Sequence, residues 1–392
     1  MTPESIAVGS AGALVAIWLG YPLCVWLAAG LRRMPRPQLN REAPSRVQSR
    51  VTVILATRED ESAVRSRIAD LAASDYPADL MEIVVGLDMG ARCSADSLSD
   101  LGPHIRVVGA DLPGGKACAL NKAVMAANGD LLVFADTYQR FAPNAVARLA
   151  EALKDPEVGV VTGSLNRGRP ESTWHPVDWY WRLERWLRFQ ESEFHSSVGV
   201  TGAIYALRRR DWQPLPPNLI LDDLYTPMRL VLDGYRVQFV PEAIAQDSRA
   251  VGTKDEFRRK VRTLTGNFQL CGWLPAILLP WRNAVWLQFF CHKLLRLMTP
   301  YLLLALFGSL FVIAEREVGL RLALITGAAA AAIGILLASP LNRSATLRAM
   351  VQSCALMPAA ALVASWNAVG RNWNVWNHTP ANTAPAPIAR RS

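Results

Sequence analysis

The sequence predicts an α/β domain with a mostly parallel sheet, set between apolar helices that cross a membrane. Three observations carry that expectation. Between Val51 and Gln269, short β-rich runs alternate with segments of helical spacing, the pattern of a parallel sheet with crossover helices. Ile6 to Leu31 is a charge-free apolar stretch, longer than the ~20 residues that cross a bilayer, and further apolar runs lie near the C-terminus. Of the 392 residues 51% are hydrophobic, with mean hydropathy +0.14, too apolar for an ordinary soluble enzyme and too charged for a pure membrane bundle.

The first apolar run is preceded only by Glu4 and followed by Arg32, Arg33, Arg36 and Arg41. A cleaved signal peptide would have a basic start and a shorter core, so the run reads as a span. The positive-inside rule then places the N-terminus outside and the next domain in the cytoplasm, at the inner membrane. The Pro- and Arg-rich stretch to Arg50 reads as a linker.

Strands are expected at Val51–Ala56, Met81–Leu87, Ile105–Gly109, Leu131–Ala135 and Val158–Thr162, with helical spacing at Val64, Ile68 and Leu71. Acidic residues close several of them: Glu59 and Asp60, Asp88, and Asp136. A solvated loop explains any one of these. Together they point to the crevice beyond the carboxyl ends of the strands, where open α/β sheets bind ligands. The stretch from Asp111 to Phe141 is central, because a Gly-Gly turn and Lys116 open a helix that leads into the strand ending at Asp136. A lysine at one end of such a unit and an aspartate at the other suit a phosphorylated ligand.

Trp174 to Phe194 mixes Trp174, Trp179, Trp181 and Trp186 with Arg182, Arg185 and Arg188. Two readings stand side by side: a helix packed on the sheet with solvated arginines, or a helix at the membrane surface or an acceptor groove. Gly199 to Gly202 opens a strand-like run to Leu207. Leu219 to Asp223 ends in the pair Asp222-Asp223 ahead of a helical pattern through Leu232, a place where acidic residues also favour the helix dipole. Val237 to Val240 is a further strand, and Glu256 to Gln269 a basic helix.

Residues 270–292 carry Trp273, Trp281 and Trp286 but are broken by Pro275, Pro280 and Arg282, and read as interfacial helices. Three spans are expected within 297–369, at Leu297–Ala314, Leu322–Ser339 and Ala349–Val369. Lys293, Arg296, Arg343 and Arg348 place their flanks inside, so both termini lie outside. The tail 377–392 has the composition of a disordered segment. The net charge of +9 gathers beside apolar segments, which favours an anionic leaflet over nucleic acid as its partner. The six cysteines lack metal or disulfide spacing and read as free thiols.

In order and spacing these residues resemble the membrane-bound family-2 glycosyltransferases of GT-A fold, the superfamily of the hyaluronan, cellulose and chitin-oligosaccharide synthases, over roughly Val51 to Gln269. The resemblance implies that Thr57, Asp60, Asp88, Lys116, Asn121, Asp136, Arg259 and Arg262 bind a nucleotide sugar, with Asp60 and Asp88 at the base. It makes Asp223 the catalytic base, with Asp222 orienting the site. Asp136 matches the first aspartate of the DxD metal motif and is the expected ligand of Mg²⁺ or Mn²⁺. Tyr138 replaces the second aspartate, and it is a poor ligand for ions that want hard oxygens. Arg259 to Thr263 matches the QxxRW motif loosely, with Arg259 for Gln and Thr263 for Trp. The implied activity is inverting transfer from a UDP-type sugar to a lipid or growing glycan at the membrane, in cell-surface or exopolysaccharide synthesis. A single transfer to a lipid and a catalytically silent nucleotide-sugar-binding membrane protein are the alternatives.

Overall fold

The computed structural model describes residues 1–31, 49–167, 176–249, 253–339, 342 and 344–375. Most of the expected linker, Trp174, Arg343 and the expected disordered tail lie outside the described residues.

The strands are β1 (Val51–Thr57), β2 (Met81–Leu87), β3 (Ile105–Gly109), β4 (Leu131–Ala135), β5 (Arg140–Phe141), β6 (Val158–Arg167), β7 (Ile204–Arg208) and β8 (Arg236–Asp247). They form one sheet in the order β3-β2-β1-β4-β7-β6-β8-β5. The β3-β2-β1-β4 half is parallel throughout. β1, β2 and β4 are largely apolar runs because helices cover both faces, whereas the edge strand β3 carries Arg106 and is half-exposed. Alternation then sorts the side chains. Val53, Leu55, Ile83, Val85 and Val133 point to a core shared with helices α2 (Glu61–Ala72) and α4 (Ala145–Ala152). Ile54, Val84, Leu132 and Phe134 point to a second core under α3 (Lys116–Met125) and α6 (Asp222–Leu232).

The other half departs from the expected alternation. β7 is inserted antiparallel between β4 and β6. β6 runs on to Arg167 and β8 to Asp247, pairing in parallel past a register shift at Gly163/Ser164. These outer stretches are polar, so their strand character comes from pairing rather than from local propensity.

Helix α5 (Pro176–Phe194) joins the domain to the apolar helices. From it, Glu184 and Glu191 reach His292 on α8 (Trp286–Leu297), at 3.0 Å from Nε2 and 2.7 Å from Nδ1. Tyr21 of α1 (Pro3–Leu31) donates to Glu191 at 2.6 Å, and Arg296 pairs with Glu184. Buried acids are tolerable only when matched in this way. The aromatic-rich helix is thus tied to both apolar ends of the chain.

α1 and α10 (Leu320–Ala338) are long and apolar enough to cross a membrane, and α8 with α9 (Thr299–Val318), bent by 52°, makes one more such element if taken together. The end of the stretch expected to be interfacial, from Trp286, forms the first arm of that bent pair. The expected span Ala349–Val369 does form a helix, α11 (Ala345–Val369), but among the described residues it is not one of those apolar enough to cross. Its second half instead packs on α7 (Thr253–Trp273), burying Ala360, Ala361 and Ala364 and bonding Asn367 to Thr265 at 3.3 Å.

Candidate active site

Because β1, β2 and β4 run parallel, their C-terminal ends share one edge of the sheet, and Thr57, Asp88 and Asp136 arrive there together. Asp88 is buried and accepts hydrogen bonds from the backbone N–H groups of Met89 (2.8 Å) and Gly115 (2.6 Å), and from Arg58. The loop it holds passes through Gly114 and Gly115 at φ +82° and +92°, a conformation glycine adopts freely. That turn delivers Lys116 at the start of α3.

The Lys116 ammonium lies between two carboxylates, 3.4 Å from Asp136 Oδ1 and 3.3 Å from Asp222 Oδ1. Burial opposes its charge, but Asp136, Asp222 and Asp223 outweigh that and raise its pKa above the ordinary lysine value. Asp222 and Asp223 form the first turn of α6, whose N-cap residue, Leu221, offers no capping side chain. Asp223 lies against Gly202, where an added Cβ would come within 3.2 Å of its carboxylate. Its pKa is pushed up, to about 6, first by burial and then by the charge of Asp222; Lys116, Arg188 and Arg262 limit the rise. Arg262, on α7, has its own pKa lowered by burial while Asp223 pulls the other way.

The expected site residues therefore divide. Lys116, Asp136, Asp222, Asp223 and Arg262 form one electrostatic cluster at the sheet edge. Thr57 is buried and ties strand ends together, accepting from Thr137 at 2.9 Å. Asp60 is the N-cap of α2 and accepts from Ala63 at 3.0 Å and Ser62 at 2.8 Å; the Ala63 N–H is the main cause of its lowered pKa. Asn121 spends both ends of its amide on the backbone of Leu215, at 2.9 and 2.8 Å, and Arg259 pairs with Glu256 at 2.8 Å. The guanidinium groups of Arg167 and Arg259 both lie over the Trp181 ring, 4.4 and 4.6 Å from its centre.

Two basic residues near the cluster were not assigned to the donor site from the sequence, Arg188 being named only among the arginines of its helix. Arg188, on α5, bonds Thr201 at 2.9 Å and helps to hold down the Asp223 pKa. Arg249, just beyond β8, stacks over the ring of Tyr138. Both reach the site through contacts distant in sequence, with Thr201 and with Tyr138.

Residues 48–266 match the family model described as glycosyltransferase like family 2, and the chain belongs to that family. Among curated relatives, the N-acetylglucosaminyltransferase of Sinorhizobium fredii is 24% identical over 261 residues, covering 62% of each chain. That of Rhizobium meliloti is 25% identical over 236 residues, covering 55% of each. The chain thus spans about three fifths or less of the length of these relatives. Among solved structures, a mannosyltransferase from Pyrobaculum calidifontis in complex with GDP-Man and Mn²⁺ superposes with a TM-score of 0.70 at 21% identity, covering 94% of this chain and 99% of its own. The fold is the GT-A fold.

Proposed function

We propose that this chain transfers a sugar from a nucleotide-sugar donor of UDP type to a membrane-associated acceptor, with inversion at the sugar carbon. The observation that carries this reading is the cluster itself: a half-buried carboxylate, Asp223, with its pKa raised toward neutrality beside a cationic pair, Lys116 and Arg262, at the ligand-binding edge of the sheet. The acceptor hydroxyl oxygen attacks the anomeric carbon as the bond to the β-phosphate oxygen breaks. Asp223 takes the hydroxyl proton, and the electron pair leaves on the diphosphate. Lys116 and Arg262 meet that charge as it grows, while Asp222 holds Lys116 in place. Asp60, Asp88 and Thr57 shape the end of the cleft assigned to the nucleotide base.

Asp136 is the carboxylate available to a divalent cation, its side chain 39% exposed at the strand end. Among the described residues no three His, Cys, Asp or Glu side chains gather as a metal site. One carboxylate completed by donor phosphate oxygens does suit Mg²⁺ or Mn²⁺. Such a cation would supply further charge neutralisation to the diphosphate.

The apolar helices α1 and α10 support a location in the inner membrane, and the arginines after α1 a catalytic domain on the cytoplasmic side. The similarity to N-acetylglucosaminyltransferases supports an amino sugar as the group transferred, and a cell-surface or exopolysaccharide glycan is the product proposed. Sealed vesicles carrying the protein test the reading when supplied with a panel of radiolabelled nucleotide sugars. Inside-out vesicles are expected to place label in lipid or polymer, and right-side-out vesicles to stay unlabelled. Label recovered only in short lipid-linked products would favour the single-transfer reading, and no label from any donor would refute both.

A further inference from the structure

Two residues beyond Asp136, at the position where the family motif has a second carboxylate, the chain places Tyr138, and the structure shows what stands there. The guanidinium of Arg249 lies 4.5 Å from the centre of the Tyr138 ring. It is held by a two-pronged bond to Asp247, Nε to Oδ1 at 3.0 Å and Nη2 to Oδ2 at 2.8 Å. The neighbouring Gln139 donates to the same Asp247 at 2.7 Å. Tyr138 and Gln139 are thus both docked on the Arg249–Asp247 pair, which fixes the guanidinium near the Asp136 end of the strand.

The arrangement does more than neutralise a buried acid. Burial would raise the Asp247 pKa, but the Arg249 and Gln139 bonds outweigh it and hold the carboxyl at about 2. Asp247 uses two of the five N–H groups of Arg249, and among the described residues the protein engages none of the other three. The Arg249 side chain is 38% exposed, and the charge of Asp136 acts on it. A fixed guanidinium with free N–H groups matches phosphate oxygens in a planar fork. Tyr138 offers only a phenol, a poor ligand for Mg²⁺ or Mn²⁺, which want carboxylate oxygens.

We propose that Arg249 binds the donor's diphosphate directly, with Tyr138 as its platform, and supplies the positive charge that a cation held by a second motif carboxylate would bring. This rests on the donor-site reading above. It assigns Tyr138 the role of positioning residue and Arg249 that of phosphate-binding residue.

The experiment is calorimetric titration of the purified full-length protein with UDP, GDP and ADP, and with the matching nucleosides, in EDTA and in Mg²⁺. The wild-type protein is expected to bind one of the diphosphates in EDTA, more weakly as salt rises. Arg249→Gln should weaken that binding about tenfold or more while leaving the nucleoside's affinity unchanged, which also shows that the variant is folded. The double variant Tyr138→Asp with Arg249→Gln should recover diphosphate affinity only when Mg²⁺ is present. Arg249→Gln binding the diphosphate in EDTA as tightly as the wild type would overturn the proposal and leave the donor site standing. A wild-type protein that binds none of the three diphosphates would overturn both.

Discussion

Asp223→Asn is expected to cut turnover by at least ~10²-fold while leaving nucleotide binding near normal. Asparagine keeps the size and most of the hydrogen bonding of aspartate but cannot accept a proton, so the loss falls on the chemical step. Asp222→Asn should do less, since that residue acts through Lys116. The pH profile adds an independent check. A base works only when ionised, and the Asp223 pKa is raised to about 6. Wild-type rate should therefore climb with pH through about 6 and level off above it, and the residual rate of Asp223→Asn should lack that limb. A helix-start aspartate with no chemical role predicts a stability loss of ~1 kcal/mol and unchanged turnover per folded molecule. Thermal melting measured beside the transfer rate separates the two.

Lys116→Met should be comparably severe, with a fall in turnover of about 10² to 10³-fold, the range for removing one preorganised group at developing charge. Its second effect is more diagnostic. Lys116 is the foremost influence holding the Asp223 pKa down, so its loss should move the rising limb of the pH profile to higher pH in the remaining activity. Lys116→Arg restores charge with different geometry and should return the limb toward its wild-type position. A Lys116→Met profile with an unmoved limb would separate the lysine from the base.

The parallel half of the sheet was legible in the sequence because β1, β2 and β4 are buried on both faces, with the half-exposed edge strand β3 a shorter run beside them. Met81–Leu87, Ile105–Gly109 and Leu131–Ala135 begin and end where the apolar runs do. Asp88 and Asp136 were legible for the same reason, as the first polar residues past those runs. The direction of β7 was not, because an apolar run does not state which neighbour it pairs with. The outer parts of β6 and β8 were hidden by polar residues such as Asn166 and Gln246, which pair only once the sheet has formed. Glu184 and Glu191 could have been found: they stand seven residues apart, on one face of an aromatic-rich helix, where acids need partners. Asn121 and Arg259 show the converse limit. The resemblance places them at the donor, and in the structure their polar groups also bond Leu215 and Glu256, contacts that no motif states.

The central claim is that one carboxylate, Asp223, deprotonates the acceptor for a single in-line displacement. The anomeric configuration of the product tests it most directly, because one displacement inverts the sugar carbon whereas a covalent sugar–enzyme intermediate, requiring two, restores it. Purified protein supplied with an α-linked nucleotide sugar should give a product whose anomeric proton and carbon signals by NMR are those of a β-linkage. An α-linked product would contradict the account and leave Asp223 without the role given to it here.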